Sequence, residues 1–131
     1  MRRLTLTAYL DTHVAAFLHA GDPNLLSPAA LHVLDASQSL RVSPMVQLEL
    51  EYLCECAKIA FRGEEIIGFL QDHFGVVPDC ENLAAAVFHA GRESWTRDPF
   101  DRIITAQAAV CGAVLLTRDE RMRANYRQAV W

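Results

Sequence analysis

Short apolar runs alternate along this chain with segments that begin on helix start signals, and this alternation restricts the fold more than any other feature. Ser27-Pro28, Ser43-Pro44 and Asp98-Pro99 each pair an N-cap residue with a proline at the first helical position. An alternation of strands and helices is typical of a mainly parallel sheet with helices on both faces. The sequence therefore predicts an α/β fold, and its length of 131 residues predicts a single domain over residues 1–131.

Turn residues and apolar runs set the expected boundaries of these elements. Strands are predicted at 4–10, 40–42, 76–77, 113–117 and 129–131. Helices are predicted at about 12–20, 28–39, 44–58, 64–73, 80–91, 99–111 and 119–125. Every apolar run is shorter than the ~20 residues that a membrane-spanning helix needs. The four cysteines, at positions 54, 56, 80 and 111, form no CxxC pair, so we expect reduced and mostly buried thiols in a cytoplasmic protein.

Acidic residues stand where predicted strands end or predicted helices begin. Asp11 and Asp119 directly follow strand-like runs, while Asp98 and Asp101 open a helix. In open parallel sheets, the functional site lies at the carboxyl ends of the strands. We therefore expect the fold to bring these side chains, from segments far apart in sequence, to one edge of the sheet.

Helix capping offers a simpler explanation for several of these positions. Asp11, Asp98 and Asp119 would each satisfy free N–H groups at the start of the helix that follows. Asp101 would be the third residue of its helix, where a carboxylate interacts favourably with the helix dipole. The sequence leaves both interpretations open, and capping is the more probable role for Asp98.

Glu49 has no such explanation, because its helical position faces inward. Its neighbours on the same face of the predicted helix are largely apolar: Met45, Val46, Tyr52 and Leu53. A buried carboxylate without a partner is costly, so Glu49 needs one. A metal ion shared with Asp11 and Asp101 would serve, and an ion pair with an arginine is the alternative.

A group of carboxylates without a dedicated lysine suits a hard cation such as Mg²⁺ or Mn²⁺. Such an ion lowers the pKa of a bound water and stabilises charge on a phosphoryl group, so the expected reaction is phosphodiester hydrolysis. Residues 92–131 carry seven arginines and five acids, whereas the whole chain has a net charge of -4. Arginine suits phosphate oxygens, although solubility and ordinary ion pairs would explain the same surplus. Thr117 and Arg118, at the predicted mouth of the site, are candidate substrate-binding residues.

Four motifs make the chain resemble the PIN domains and, among them, the VapC-type ribonuclease toxins of bacterial toxin–antitoxin modules. The motifs are YLDTH at 9–13, VSPMVQLELEYL at 42–53, RDPFDRIITAQA at 97–108 and LLTRDERM at 115–122. The resemblance implies a three-layer α/β/α sandwich with a central, mainly parallel sheet. It also implies Mg²⁺- or Mn²⁺-dependent cleavage of single-stranded RNA, a homodimer, and a small antitoxin whose tail enters the active-site groove.

By the same resemblance, the catalytic metal ligands are Asp11, Glu49, Asp101 and Asp119, with Asp98 as a ligand or a support. One departure is that the residues before Glu49 read Val46-Gln47-Leu48, where the family often has a small residue and an aromatic. This change keeps the helical face apolar, so we expect activity to remain.

Other functions fit the residues less well or stay open. A haloacid-dehalogenase-like phosphatase would have a second aspartate two residues after the first, where this chain has His13. A response-regulator receiver would have a late lysine, whereas the only lysine is Lys58. A PIN-like domain that binds RNA or protein without cleaving is the alternative that the sequence does not exclude.

Overall fold

The computed structural model describes residues 6–131. Their strands are β1 (Thr7–Leu10), β2 (Ser39–Val42), β3 (Val77–Pro78), β4 (Val114–Leu116) and β5 (Ala129–Val130). Their helices are α1 (Thr12–Ala20), α2 (Pro28–Ala36), α3 (Pro44–Glu55), α4 (Gly63–Phe74), α5 (Leu83–Ala90), α6 (Pro99–Val110) and α7 (Glu120–Asn125). A single 3₁₀ turn at Pro23–Leu25 joins α1 to α2. Among the described residues, no helix has both the length and the apolar character needed to cross a bilayer.

All five strands run parallel in one sheet of order β3-β2-β1-β4-β5. The central strand β1 places Tyr9 opposite Arg41 of β2 and Leu115 of β4. Helices connect the strands and flank the sheet, because parallel strands need crossover connections. The predicted α/β/α sandwich with a central parallel sheet is therefore confirmed.

The three predicted helix starts are confirmed in detail. Ser27, Ser43 and Asp98 each accept a hydrogen bond from a backbone N–H in the first turn, with proline at the next position. The helix ends are less well predicted: α3 stops at Glu55, because Ala57 takes a left-handed conformation with φ of 60°. The predicted strand at 4–10 begins at Thr7 in the structure, and its residues 4 and 5 lie outside the described part of the chain.

The main core lies between the sheet and the helices. Leu10, Leu115 and Leu116 of the two central strands are fully buried, as is Leu50 of α3. Helices α1, α3 and α4 pack on one another, and α5 pairs with α6. This packing fixes α3 and α6 relative to the ends of β1 and β4, and those are the elements that carry the acidic residues.

A buried polar network joins β1 to the chain just after β3. The Tyr9 hydroxyl donates to Oδ2 of Asp79 at 2.5 Å, and the Asn82 side chain donates to the same carboxylate. Burial opposes ionisation of Asp79, but the hydrogen bonds from Tyr9 and Asn82 more than compensate, so its pKa lies below the ordinary value. Asp79 is thus a structural carboxylate that joins the central strand β1 to the chain after the edge strand β3.

The prediction of mostly buried cysteines is wrong. Cys56, Cys80 and Cys111 are exposed, and Cys54 is partly buried. All four are free thiols, as expected. Cys54 lies in the last turn of α3, Cys56 and Cys111 are the C-cap residues of α3 and α6, and Cys80 follows β3.

Candidate active site

Three of the predicted acidic residues form a compact group at the junction of two helices. Glu49 of α3, Asp98 and Asp101 each offer one carboxylate oxygen, and these oxygens all lie within 4.8 Å of one another. Glu49 and Asp101 are partly buried, while Asp98 is exposed. Asp98 and Asp101 follow Glu49 by 49 and 52 positions in sequence, so distant segments meet in one group, as the sequence predicts.

Asp98 is both a helix cap and a member of this group. Its Oδ1 accepts hydrogen bonds from the backbone N–H of Phe100 at 2.8 Å and of Asp101 at 3.3 Å. The capping interpretation is confirmed, and it does not exclude the other one. The cap fixes the carboxylate at the N-terminus of α6, beside Asp101 and opposite α3.

Asp11 lies at the end of β1 and is almost completely buried, with 4% of its surface exposed. Its Oδ1 accepts from the backbone N–H of Thr12 at 2.7 Å, and its Oδ2 accepts from the Thr117 hydroxyl at 2.6 Å. Burial raises the pKa of Asp11, and the two hydrogen bonds oppose this rise. Both oxygens are thus held in fixed directions by neutral donors.

Asp119 caps the last helix and is tied to Asp11 through one side chain. Its Oδ1 accepts from the backbone N–H of Met122 at 2.9 Å, and its own N–H donates to the Thr117 hydroxyl at 3.0 Å. Asp11 and Asp119 line an open cleft of about 280 Å³ together with His13, Phe17 and Arg118. They are outside the compact group of Glu49, Asp98 and Asp101 but act on it electrostatically.

The structure places the two predicted substrate-binding residues differently. Arg118 is exposed at the cleft, in line with the prediction. Thr117 is fully buried, and its hydroxyl donates to Asp11 and accepts from the Asp119 N–H. The predicted phosphate contact for Thr117 is therefore wrong, because its hydroxyl is already engaged in holding the two aspartates.

Glu49 finds its partner in a residue that the sequence analysis missed. The Thr12 hydroxyl donates to Oε1 of Glu49 at 2.5 Å, and Thr12 itself is 1% exposed. Burial raises the pKa of Glu49, the Thr12 hydrogen bond lowers it, and the charges of Asp11 and Asp98 raise it again. Among the described residues, Glu49 has no ion pair with an arginine. The only available signal was a polar residue directly after Asp11, at the first position of α1.

The surroundings of Asp101 disfavour a negative charge on its carboxyl group. Burial, followed by the charges of Asp98, Asp11, Asp119 and Glu49, raises the pKa of Asp101 to about 7. No hydrogen bond from a described residue reaches its carboxylate oxygens to offset this rise. A cation would do so, and a site made only of carboxylate oxygens matches the preference of a hard divalent ion.

Comparison with known proteins finds relatives of this chain both by sequence and by fold. The PIN domain family model matches residues 8–128. Ribonuclease VapC22 of Mycobacterium tuberculosis (strain ATCC 25618 / H37Rv) is 33% identical over 122 residues, which cover 91% of this chain and 92% of the relative.

Solved structures share the fold at lower identity. A toxin–antitoxin complex from Klebsiella pneumoniae has a chain with a TM-score of 0.62 and 20% identity, with 95% of this chain and 96% of that chain covered. VapBC-1 from nontypeable Haemophilus influenzae gives a TM-score of 0.61 and 18% identity, with coverage of 95% and 97%. At these identities the likeness supports the fold alone.

The raised pKa of Asp101 predicts how metal-free stability depends on pH. A carboxyl group whose pKa is higher in the folded protein binds more protons there, so stability is lost as pH rises from about 4 toward 7. We expect Asp101→Asn to be more stable than the wild type at pH 7.5 without metal, by roughly 1–2 kcal/mol after allowance for solvent screening. Thermal unfolding across this pH range, with and without Mg²⁺, measures the effect.

Asp35→Asn is the matched control for this measurement, because Asp35 is an exposed aspartate on α2. Mg²⁺ should stabilise the wild type and Asp35→Asn but not Asp101→Asn. If the stability of the wild type and that of Asp101→Asn rose in parallel from pH 5 to 7.5, the result would contradict electrostatic repulsion at Asp101.

The hydrogen bond between Thr12 and Glu49 predicts that Thr12 positions a metal ligand. Thr12→Val keeps the side-chain shape but removes the donor, so we expect affinity for Mn²⁺ to fall roughly tenfold. Thr12→Ser keeps the hydroxyl and should retain most of the affinity. Titration calorimetry with the metal alone measures both, and equal affinity of the valine and serine variants would show that the hydroxyl has no such role.

Proposed function

Because the chain belongs to the PIN domain family and, within it, to the VapC-type proteins, we propose that it is a metal-dependent endoribonuclease. The observation that carries this proposal is the compact group of oxygens from Glu49, Asp98 and Asp101, within 4.8 Å of one another. The relative named a ribonuclease supports RNA as the substrate. We further propose that the substrate is single-stranded RNA and that the metal ion is Mg²⁺ or Mn²⁺.

The five acidic residues would not contribute equally to holding the ion. Glu49, Asp98 and Asp101 lie closest together, and Asp11 and Asp119 flank the adjacent cleft. Thr12, Thr117 and the N-terminus of α6 fix these carboxylates without adding positive side-chain charge. A divalent ion bound there supplies an activated water and stabilises charge on the phosphoryl oxygens. We propose Asp11, Glu49, Asp101 and Asp119 as the catalytic set.

RNA cleavage tests this proposal directly. Purified protein should cut a mixed single-stranded RNA pool with Mg²⁺ or Mn²⁺ and stop when EDTA is added. Asp11→Asn and Glu49→Gln should each lower the rate by more than about 100-fold, because each removes a charged oxygen from the set. Glu55→Gln is the control, since Glu55 lies exposed on the same helix as Glu49.

The alternative results separate the competing functions. Equal cutting by the wild type, Asp11→Asn and Glu49→Gln would refute the assigned site. Metal binding and RNA binding without any cutting would favour the PIN-like domain that binds without cleaving.

We also propose that a small antitoxin covers the acidic cleft. An apolar groove of about 200 Å³ between α1, the 3₁₀ turn, α2 and α4 is lined by Phe17, Leu18, Leu26, Leu31 and Phe74, among others. Phe17 lines this groove and the acidic cleft as well, so the two lie side by side. If an apolar segment of the antitoxin bound in this groove, the antitoxin residues next to that segment would lie at the carboxylates of the acidic cleft. Structures described as toxin–antitoxin complexes share this fold, which supports such a partner.

A homodimer is the other proposed assembly, and the exposed surface of helix α5 supports this proposal. Phe88 is 90% exposed and Val87 is 52% exposed on the same helix, next to exposed Ala84 and Ala85. An apolar face of this kind is typical of a protein–protein contact. This face and the apolar groove share no residue, so the two assemblies can be tested separately.

Two charge substitutions should separate the two partners. Leu31→Glu places a carboxylate in the groove, so we expect it to abolish binding of the small protein encoded beside this gene while the homodimer remains. Phe88→Glu should disrupt the homodimer while binding of the small protein remains. Size-exclusion chromatography with light scattering measures both. Loss of both assemblies in one variant would point to misfolding, and no effect of either would refute the assigned surfaces.

A further inference from the structure

The arginines near the start of α6 and in α7 are not neutralised by carboxylates. Within the described residues, the ion pairs closer than 4.0 Å are Arg62 with Glu51 and His89 with Glu93. None of the seven arginines between 92 and 131 takes part in either. The basic end of the chain therefore keeps its positive charge free, even though the chain as a whole is acidic.

Four of these arginines donate to backbone carbonyls, and three of the four donate to the loop before α6. Arg97 donates to the carbonyl of Ser94 at 3.0 Å, Arg102 to that of Thr96 at 2.8 Å, and Arg121 to that of Trp95 at 2.5 Å. A carbonyl fixes a guanidinium without cancelling its charge. Each guanidinium has five N–H donors, so Arg97 and Arg121, which are exposed, keep several of them for a further ligand.

Arg97 and Arg121 face a cleft next to the acidic group. This open cleft of about 550 Å³ is lined by Ser94, Trp95, Thr96, Arg97, Asp98 and Arg121. Asp98 also belongs to the compact group with Glu49 and Asp101, so cleft and acidic site meet at one residue. A strand with a phosphate at the acids would pass directly from them into this cleft.

The cleft offers donors for phosphate but little for a base. Its one aromatic residue, Trp95, is partly buried and packs against the core, and its indole N–H already donates to Glu93. Base recognition needs stacking surfaces or paired donors and acceptors aimed at base edges. Planar guanidinium groups instead match the paired oxygens of a phosphate.

We propose that Arg97 and Arg121 bind an RNA backbone phosphate that neighbours the phosphate at the acidic site. This inference rests on the proposed ribonuclease function and adds a sequence-independent subsite to it. The physical need is clear, because five carboxylates repel a polyanion and a bound divalent ion cancels only part of their charge. Two fixed guanidinium groups beside the acidic site attract the RNA strand and determine the path that it takes away from the site.

Salt-dependent RNA binding tests the subsite. The parent is Asp11→Asn, which leaves the RNA uncut, and the probe is a fluorescein-labelled single-stranded RNA pool followed by anisotropy at constant Mg²⁺. Arg97→Gln and Arg121→Gln remove proposed phosphate contacts. Arg127→Gln is the matched control, since Arg127 is exposed, lines neither cleft and loses the same charge.

Each lost contact should make the plot of log affinity against log salt shallower by about 0.7 between roughly 50 and 200 mM KCl. At the lowest salt, affinity should fall roughly threefold to tenfold, and equally for pools of different base composition. The Arg127→Gln line should run parallel to that of the parent. Arg97→Lys keeps the charge without the planar fork, so its slope should lie close to that of the parent.

The outcomes separate this inference from the function on which it rests. If the parent binds RNA and Arg97→Gln behaves like Arg127→Gln, the subsite is refuted while the ribonuclease proposal stands. A loss that depends on base composition would assign base recognition to these arginines and also refute it. If the parent binds no RNA at any salt concentration, the proposed function fails and the subsite fails with it. Thermal melting of each variant identifies a loss that comes from unfolding, which concerns Arg121 because it ties α7 to the loop before α6.

Discussion

Repulsion among carboxylates gathered at one edge of the sheet is the constraint on which the rest of this structure depends. A fold that brings such groups together must hold them rigidly, yet pairing them with positive side chains would cancel the charge that the proposed cation needs. The chain meets both demands with uncharged donors. Backbone N–H groups at helix starts hold Asp98 and Asp119, and threonine hydroxyls hold Glu49 and Asp11.

Hydrogen bonds join three of these carboxylates, those of Asp119, Asp11 and Glu49, in one connected path across the domain. The Asp119 N–H donates to the Thr117 hydroxyl, and Thr117 donates to Asp11. Asp11 accepts from the Thr12 N–H, and the Thr12 hydroxyl donates to Glu49. The path runs from β4 to β1, α1 and α3, so the parallel register of β1 with β4 sets the relative positions of the acids. A shift of that register by one residue would turn Asp11 away from Thr117.

Sequence patterns predicted the elements well because local chemistry determines them. Ser-Pro and Asp-Pro pairs marked helix starts, and apolar runs marked the parallel strands. The patterns failed where a contact spans the chain. Nothing near Thr12 signals that its hydroxyl meets Glu49 37 positions away, and nothing near Thr117 signals that its hydroxyl is buried. Likewise, Glu51 accepts from Arg62 and from the Gly63 N–H and so joins α3 to α4, and no local pattern signals this contact.

Two carboxylates of this chain, Asp79 and Asp101, differ in how their surroundings treat a negative charge. Asp79 is more deeply buried than Asp101, yet its pKa is lowered while that of Asp101 is raised. The difference lies in the donors around them. Tyr9 and Asn82 satisfy Asp79, so its charge stabilises the fold. Asp101 is surrounded by other carboxylates and receives no hydrogen bond from a described residue, so nothing in the described part of the chain offsets its charge. Burial, four neighbouring carboxylates and the lack of a donor together mark Asp101 as a candidate residue of the functional site.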